Sequence, residues 1–290
     1  IKDSREERAI PQVRVDGEEG KELCPSVLAL VEENPAVGVL DGVTVLTHRL
    51  SILTGFLRDA EDGKLTAGAG GLTNTLRFKH RTIVNLPGVA KAYGEEVRGS
   101  LTAPEGYVLC GSDMSSLEDN TKKHYMFQYD PDFVEQMSDP GFDPHLDLAK
   151  FAGVVTAEEI LDYVCKKVGA KNLKPIRVIY KAANYACVYG VGAPKLARGT
   201  GLMLKEAKAL IDTYWARNWA VRAVAEDTVT KWVGREQWLY NPVSRFWYSL
   251  RAEKDIFSTL NQGTGVFCFD SWVKEFRSER PQLTGQFHDE

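Results

Sequence analysis

Arg177, Lys181, Tyr185 and Tyr189 recur at intervals of four within RVIYKAANYACVYGVG, residues 177–192. Four residues turn an α-helix about 40° beyond a full circle, so these side chains form one slowly drifting stripe roughly 18 Å long. Two cations followed by two aromatics suit a triphosphate carrying a ring. The guanidinium offers a planar fork, the ammonium a mobile point charge, and the two tyrosines present faces to a base and sugar. Two acids could supply the rest of the chemistry. Asp113 and Asp289 each follow a short apolar stretch that reads as a central strand. Carboxylates at the ends of adjacent strands make a hard oxygen site suited to Mg²⁺, and two such ions can clamp the attacking and leaving oxygens of a phosphoryl transfer. Plainer roles fit the same residues: Asp113 as a cap, Asp289 as a tail residue, the stripe as an exposed amphipathic face. Spacing leaves both readings open, because the two acids lie far apart in the chain.

The elements that must position these groups are partly legible. Residues 1–25 are polar, rich in Gly, Asp and Glu, and show little periodicity, so they read as chain lying loosely on something larger. Val45, Leu46, Leu50, Leu53 and Phe56 or Leu57 share one side of a helix. The glycine-rich run at 63–88 predicts extended chain and turns passing close to a partner. Tyr107–Gly111 reads as a buried strand, with a helix beginning around Ser115, Leu117 and Glu118. Thr156 with Glu159 forms a capping-box signature, Pro175 opens the stripe helix, and Gly190 with Gly192 ends it. Residues 200–234 read as one long helix whose Trp215, Trp219 and Trp232 serve the core or helix contacts. A hairpin is expected around Asn241 and Pro242, helix over 251–280 and a final strand over Gln282–Phe287. That strand has no partner after it, which marks the chain as a fragment.

Composition narrows the class. A chain of 290 residues can bury a substantial core. No apolar run approaches membrane length and no basic, hydrophobic leader opens it, so it reads as soluble, cytoplasmic and without a membrane partner. Five scattered cysteines, Cys24, Cys110, Cys165, Cys187 and Cys268, indicate ordinary thiols rather than a zinc site or disulfide framework. The formal charge is −4, yet residues 163–205 and 63–94 carry many lysines and arginines and no acid, so a polyanion can bind locally.

The motifs, in their order, resemble the polymerase domain of family-A DNA polymerases, particularly the bacteriophage-type branch. DMSSLE resembles the first palm motif, in which Asp113 and the backbone carbonyl of Met114 bind metal. RVIYKAANYACVYG resembles the nucleotide-binding helix of the fingers, and HDE the second carboxylate motif, with Asp289 a metal ligand and Glu290 an accessory acid. DPHLDLAKFAG resembles the segment placing His145 near incoming phosphates. NLPGVAKAYGEEVR resembles the lead into the palm, and NQGTG the segment from which Gln262 reaches the minor groove. The resemblance implies an α+β fold of right-hand polymerase architecture, with helical fingers and thumb remnant around a small antiparallel palm sheet. Residues 1–95 would be thumb remnant and lead-in, 96–130 the first palm part, 131–255 the fingers, and 256–290 a second palm part truncated after HDE. The implied activity is template-directed DNA synthesis with two Mg²⁺ ions, acting on primer-template DNA and deoxynucleoside triphosphates in a phage-infected bacterial cell. Catalysis would fall to Asp113, Asp289, Glu290 and Lys181. Nucleotide binding would fall to His145, Arg177, Lys181, Tyr185, Tyr189 and Glu118, and duplex contacts to Arg77, Lys79, Arg81 and Gln262.

Departures from the family pattern are Asn120 where an Arg is usual, Ala186 where a Gly is common, and Thr75 in place of a duplex-contacting Arg, for which Arg77 can compensate. Glu118, expected to accept the Tyr185 hydroxyl beneath the sugar, separates this reading from a single-subunit RNA polymerase. A non-catalytic DNA-binding module would have no reason to keep Asp113 and Asp289 together.

Overall fold

The computed structural model describes residues 13–17 and 20–279. Asp289, Glu290 and the strand expected over Gln282–Phe287 lie outside the described residues. The chain divides into two compact units, Ile1–Ala69 with His80–Cys110, and Gly70–Lys79 with Gly111–Glu290.

In the first unit β1 (Arg14–Gly17) pairs antiparallel with β2 (Gly20–Leu23), replacing the unstructured arm expected there. Helix α1 (Pro25–Glu33) has a proline in its first turn, and a short 3₁₀ turn over Pro35–Val39 leads into α2 (Leu40–Asp59). The expected periodicity of α2 is present, but Phe56 is its buried residue while Leu46, Leu50 and Leu57 stay exposed, Leu57 at 82%. The stretch Pro35–Asp59 is long and apolar enough by length and composition to cross a membrane, with mean hydropathy 1.3, which corrects the expectation that none approaches that length. Helix α3 (Gly94–Gly99) begins where Gly94 passes against the Gly88 carbonyl; a Cβ there would sit 2.0 Å from that oxygen.

The glycine-rich run forms β3 (Ala69–Leu72) and β4 (Phe78–His80), paired as a two-stranded sheet. In the second unit the helices are α4 (Leu117–Met126), α5 (Pro131–Met137), α6 (Pro144–Phe151), α7 (Ala157–Val164), α8 (Lys174–Val188) and α9 (Ala193–Thr200). They continue as α10 (Leu204–Arg217), α11 (Trp219–Asp227) and α12 (Ile256–Glu279). Between α11 and α12 an antiparallel sheet runs β5 (Thr230–Val233), β6 (Glu236–Asn241), β7 (Phe246–Leu250) in that order. The molecule is therefore mainly helical with small antiparallel sheets.

Two expectations fail for visible reasons. Residues 107–111 form no strand: among the described residues no chain pairs with them, and Val108 remains 82% exposed. The long helix over 200–234 breaks at Asn218, whose buried amide donates to Tyr214 O and accepts from Lys122 Nζ. Beyond it, β-branched residues and Gly234 (φ 62°) turn the chain into β5 and β6. Trp232, at 66% exposure, and Trp219 consequently lie outside the core, while Trp215 packs against both main clusters.

One cluster joins α4, α5, α11, β6, β7 and the start of α12 through Met126, Phe133, Val221, Leu239, Tyr248 and Leu260. A second joins α6, α8, α9 and α10 through Leu146, Leu148, Ala183, Leu196 and Tyr214. Arg217 ties α10 to α6 and α5, bonding Asp147 at 2.8 Å with its guanidinium carbon 3.7 Å from the Phe133 ring centre. Helix α12 runs unbroken through NQGTG. Gly263 lies against the Tyr248 ring, where a Cβ would come within 2.9 Å. Fully buried Asn241 donates to Leu260 O and Thr264 Oγ1 on α12 and accepts from the backbone N–H of Val243 and Ser244, pinning the expected hairpin to the helix.

Candidate nucleotide-binding site

Helix α8 separates packing from chemistry by face. Tyr180, Ala183 and Cys187 recur at helical spacing and are buried in the second cluster, and burial pushes the Cys187 thiol up to about 12. The stripe lies on the other side. Arg177, Lys181 and Tyr185 are helical; Tyr189 is the C-cap, and Gly190 (φ 64°) ends the helix as its type allows.

Arg177 Nε donates to Asp143, whose carboxylate also caps α6 by accepting from the His145 and Leu146 N–H groups. Burial pushes the Asp143 carboxyl up, but Arg177 and the two N–H groups outweigh it and hold it below its ordinary range. That capping places His145, the buried second residue of α6, beneath the stripe. Its Nδ1 lies 3.3 Å from the Asn184 amide and its ring centre 5.9 Å from that of Tyr185. Burial lowers the His145 pKa, Asp143 opposes this, and Arg177 and Lys181 lower it further, so the imidazole is neutral at neutral pH. Lys181 is exposed, its Nζ 6.0 Å from the Tyr185 ring centre, and Tyr185 itself is 60% exposed.

Glu118, in the first turn of α4, meets the far end of the stripe. Its Oε2 accepts from the Tyr189 hydroxyl at 3.2 Å, and the Gln262 amide donates to that hydroxyl at 3.1 Å. Arg77 Nη1 approaches Glu118 Oε1 at 3.9 Å, and the Asn261 amide donates to the Glu118 carbonyl at 2.9 Å. The hydroxyl on Glu118 thus belongs to Tyr189 and not to Tyr185, because the end of α8 brings the last ring of the stripe, one turn beyond Tyr185, to α4. Burial and the neighbouring Glu118 charge raise the Tyr189 pKa, so it stays a neutral donor. Together α4, the start of α6, α8 and α12 enclose a cleft of about 500 Å³, lined by Ser116, Glu118, His145, Asn184, Tyr185 and Tyr189 among others.

The remaining expected residues are not all brought together. Asp113 is exposed in irregular chain, and no described residue hydrogen-bonds or ion-pairs with its carboxylate; Met114 beside it packs on Leu117, Phe269 and Val273. Among the described residues no group of three His, Cys, Asp or Glu side chains is placed to hold a metal ion. An exposed carboxylate and a neighbouring carbonyl are hard oxygen donors, which fits Mg²⁺, with Asp289 and Glu290 outside the described residues. Lys79 is exposed on β4, Thr75 is buried, and Arg81 belongs to the other compact unit. All five cysteines are free thiols. Sequence reasoning missed Asp143, Asn184 and Asn261. The first could have been found, since Asp before Pro-His is an N-cap signature.

The sequence model described as DNA polymerase family A matches residues 64–242. DNA polymerase I of Pseudomonas aeruginosa is 27% identical over 235 residues, 75% of this chain and 24% of that protein. A DNA-directed DNA polymerase of Escherichia phage Phieco32 is 36% identical over 90 residues, 30% of this chain and 13% of that protein. The chain spans about a quarter or less of these curated relatives. Among solved structures, the POL domain of Pol1 from M. smegmatis, in complex with DNA primer-template and dNTP, shares the fold with a TM-score of 0.55 at 19% identity, covering 98% of this chain and 52% of that one. With the matching model spanning more than half its length, this chain belongs to the family-A DNA polymerases.

Proposed function

We propose that the chain is part of a template-directed DNA polymerase that adds deoxynucleotides to a primer 3′-hydroxyl, and that it comes from the bacteriophage branch. The observation that carries this reading is the two-faced helix α8, whose Tyr185 and Tyr189 line the cleft, with Arg177 and Lys181 earlier on the same side of the helix and Tyr189 ending on Glu118 and Gln262. The phage relative supports the branch, and replication in an infected bacterial cell follows from it. In this reading 1–95 belong to the thumb and lead-in, 96–130 and 256–290 to the palm, and 131–255 to the fingers.

Arg177 and Lys181 hold the triphosphate, with Arg177 exchanging or sharing its Asp143 partner, and neutral His145 donates a hydrogen bond to it. Tyr185 covers the sugar. Glu118, held by Tyr189 and Asn261, closes the 2′ side, where an added ribose hydroxyl would be buried without a partner. Arg77, Lys79, Arg81 and Gln262 contact the duplex. Asp113, the Met114 carbonyl and Asp289 would hold the magnesium ions, with Glu290 an accessory acid beside them, and the ions would supply neutralisation of charge on the transferring phosphoryl group.

The test is single-nucleotide primer extension by the longest natural chain containing these residues. Asp113→Ala is expected to remove nearly all addition while leaving duplex binding largely intact, since a ligand to the reacting centre acts on turnover more than on binding. Retention of more than about a tenth of the rate overturns the assignment. Glu118→Ala is expected to erode the preference for deoxy over ribo substrates, and Tyr185→Phe to reduce use of dideoxynucleotides. An unchanged deoxy-to-ribo ratio removes Glu118 from the sugar side.

A further inference from the structure

Outside the cleft, the sheet of β5, β6 and β7 has one face occupied and one open. Leu239, Asn241 and Tyr248 point inward and are buried, packed with α12. The register puts Lys231 opposite Trp238, Trp238 opposite Ser249, and Tyr240 opposite Trp247, so these residues share the other face. Lys231 Nζ stands 3.8 Å from the Trp247 ring centre, and the Tyr240 and Trp247 rings lie 5.2 Å apart at 48°. Trp238, Tyr240 and Trp247 are all partly exposed, the Trp238 Nε1 being covered and without a hydrogen-bond partner among the described residues, and they belong to none of the buried clusters.

The surroundings are cationic. Residues 228–251 carry Lys231, Arg235, Arg245 and Arg251 against Glu236 alone, in a chain whose net charge is −4. Arg235 lies in the turn after β5, Arg245 in the loop after β6 and Arg251 just past β7; all three are exposed, and none is ion-paired among the described residues. Charge of this sign selects a polyanion over an apolar or acidic-averse protein surface. Ring spacing then selects among polyanions. Neighbouring same-face residues on a strand lie about 6.8 Å apart, twice the roughly 3.4 Å rise of stacked duplex bases, so bases can reach Trp238 and Tyr240 when they are unstacked from one another.

We propose that the open face of this sheet is a stacking platform for single-stranded DNA, with bases on Trp238, Tyr240 and Trp247 and phosphates on the flanking lysine and arginines. The proposal rests on the polymerase reading for the source of the strand, which is the unpaired template ahead of the primer end. Such stacking tolerates any sequence, as a template-handling surface must, because every base has a π-face.

The experiment measures binding of the chain, by fluorescence anisotropy at one fixed salt concentration, to primer-templates with a single unpaired template nucleotide and with about twelve, within the roughly 4–16 nucleotides that comparable platforms cover. The longer overhang is expected to bind at least about tenfold more tightly. Trp247→Ala should remove most of that gain and leave the short-overhang affinity unchanged, Trp247→Phe should retain it, and Lys231→Gln should reduce it without altering melting temperature. Equal affinity for both substrates in the unaltered chain overturns the proposal, as does an equal loss on both with Lys231→Gln. Failure of the polymerase reading looks different: no extension and no binding even to the short-overhang duplex.

Discussion

Helices α2 and α8 are both amphipathic in sequence, yet one leaves its apolar side in solvent and the other buries it. The longer helix, α2, buries Phe56 while Leu46, Leu50 and Leu57 remain exposed; α8 buries Tyr180, Ala183 and Cys187 against the three helices α6, α9 and α10 of its own cluster. Periodicity therefore sets the helix but not what covers it. The chemical residues of α8 can project outward because its other side is anchored.

The sharpest way to break the contrast is to damage that anchor. Tyr214 is fully buried in the cluster beneath α8, so Tyr214→Ala should cost about 3–5 kcal/mol in urea unfolding. A cost below about 1 kcal/mol would mean that α8 is no better anchored than α2. Next in size, Lys181→Ala should lower kcat/KM for a deoxynucleotide about a hundredfold through loss of a charge-assisted phosphate contact, whereas Leu50→Ser on α2 should leave it unchanged. Equal effects from the two would erase the functional distinction between the helices.

A smaller effect concerns the cleft wall opposite α8. Lys122 donates to Asn218; burial pushes its amine down to about 8, Asp119 opposing and Arg217 adding to the shift. Because this folded value lies below the ordinary 10.5, the unfolded chain holds a proton that the folded chain lacks between those two values, and stability rises with pH across that window. Lys122→Met should flatten the rise, because the titrating amine is gone. A pH profile of melting temperature that keeps its slope in the variant assigns the slope elsewhere. Smallest of all, Tyr214→Phe should be neutral or stabilising by up to about 1 kcal/mol, since the Tyr214 hydroxyl is buried without a hydrogen-bond partner among the described residues.

Local signals were legible where local physics decides. The Thr156–Glu159 capping box, the proline and glycine that bound α8, and the hairpin at Asn241 all form as the residues imply. Residues 107–111 did not form a strand because strand formation needs a partner that a short apolar run cannot specify, and the break at Asn218 depends on Lys122, distant in the chain. The site divides in the same way. Spacing put Arg177, Lys181, Tyr185 and Tyr189 on one helical side, but which tyrosine would reach Glu118 depends on where α8 ends relative to α4, and Asn184 and Asn261 became visible only through what they touch.

The buried amide of Asn241 also has a consequence for how the molecule opens. Its partners come from its own turn, from α12 and from the Tyr125 hydroxyl of α4, so sliding β6 by one residue would turn that amide to the opposite side of the sheet and strand five hydrogen bonds at once. Partial fraying of the hairpin is therefore costly, and hairpin and helix should exchange their backbone amide hydrogens for deuterium together, as one cooperative unit.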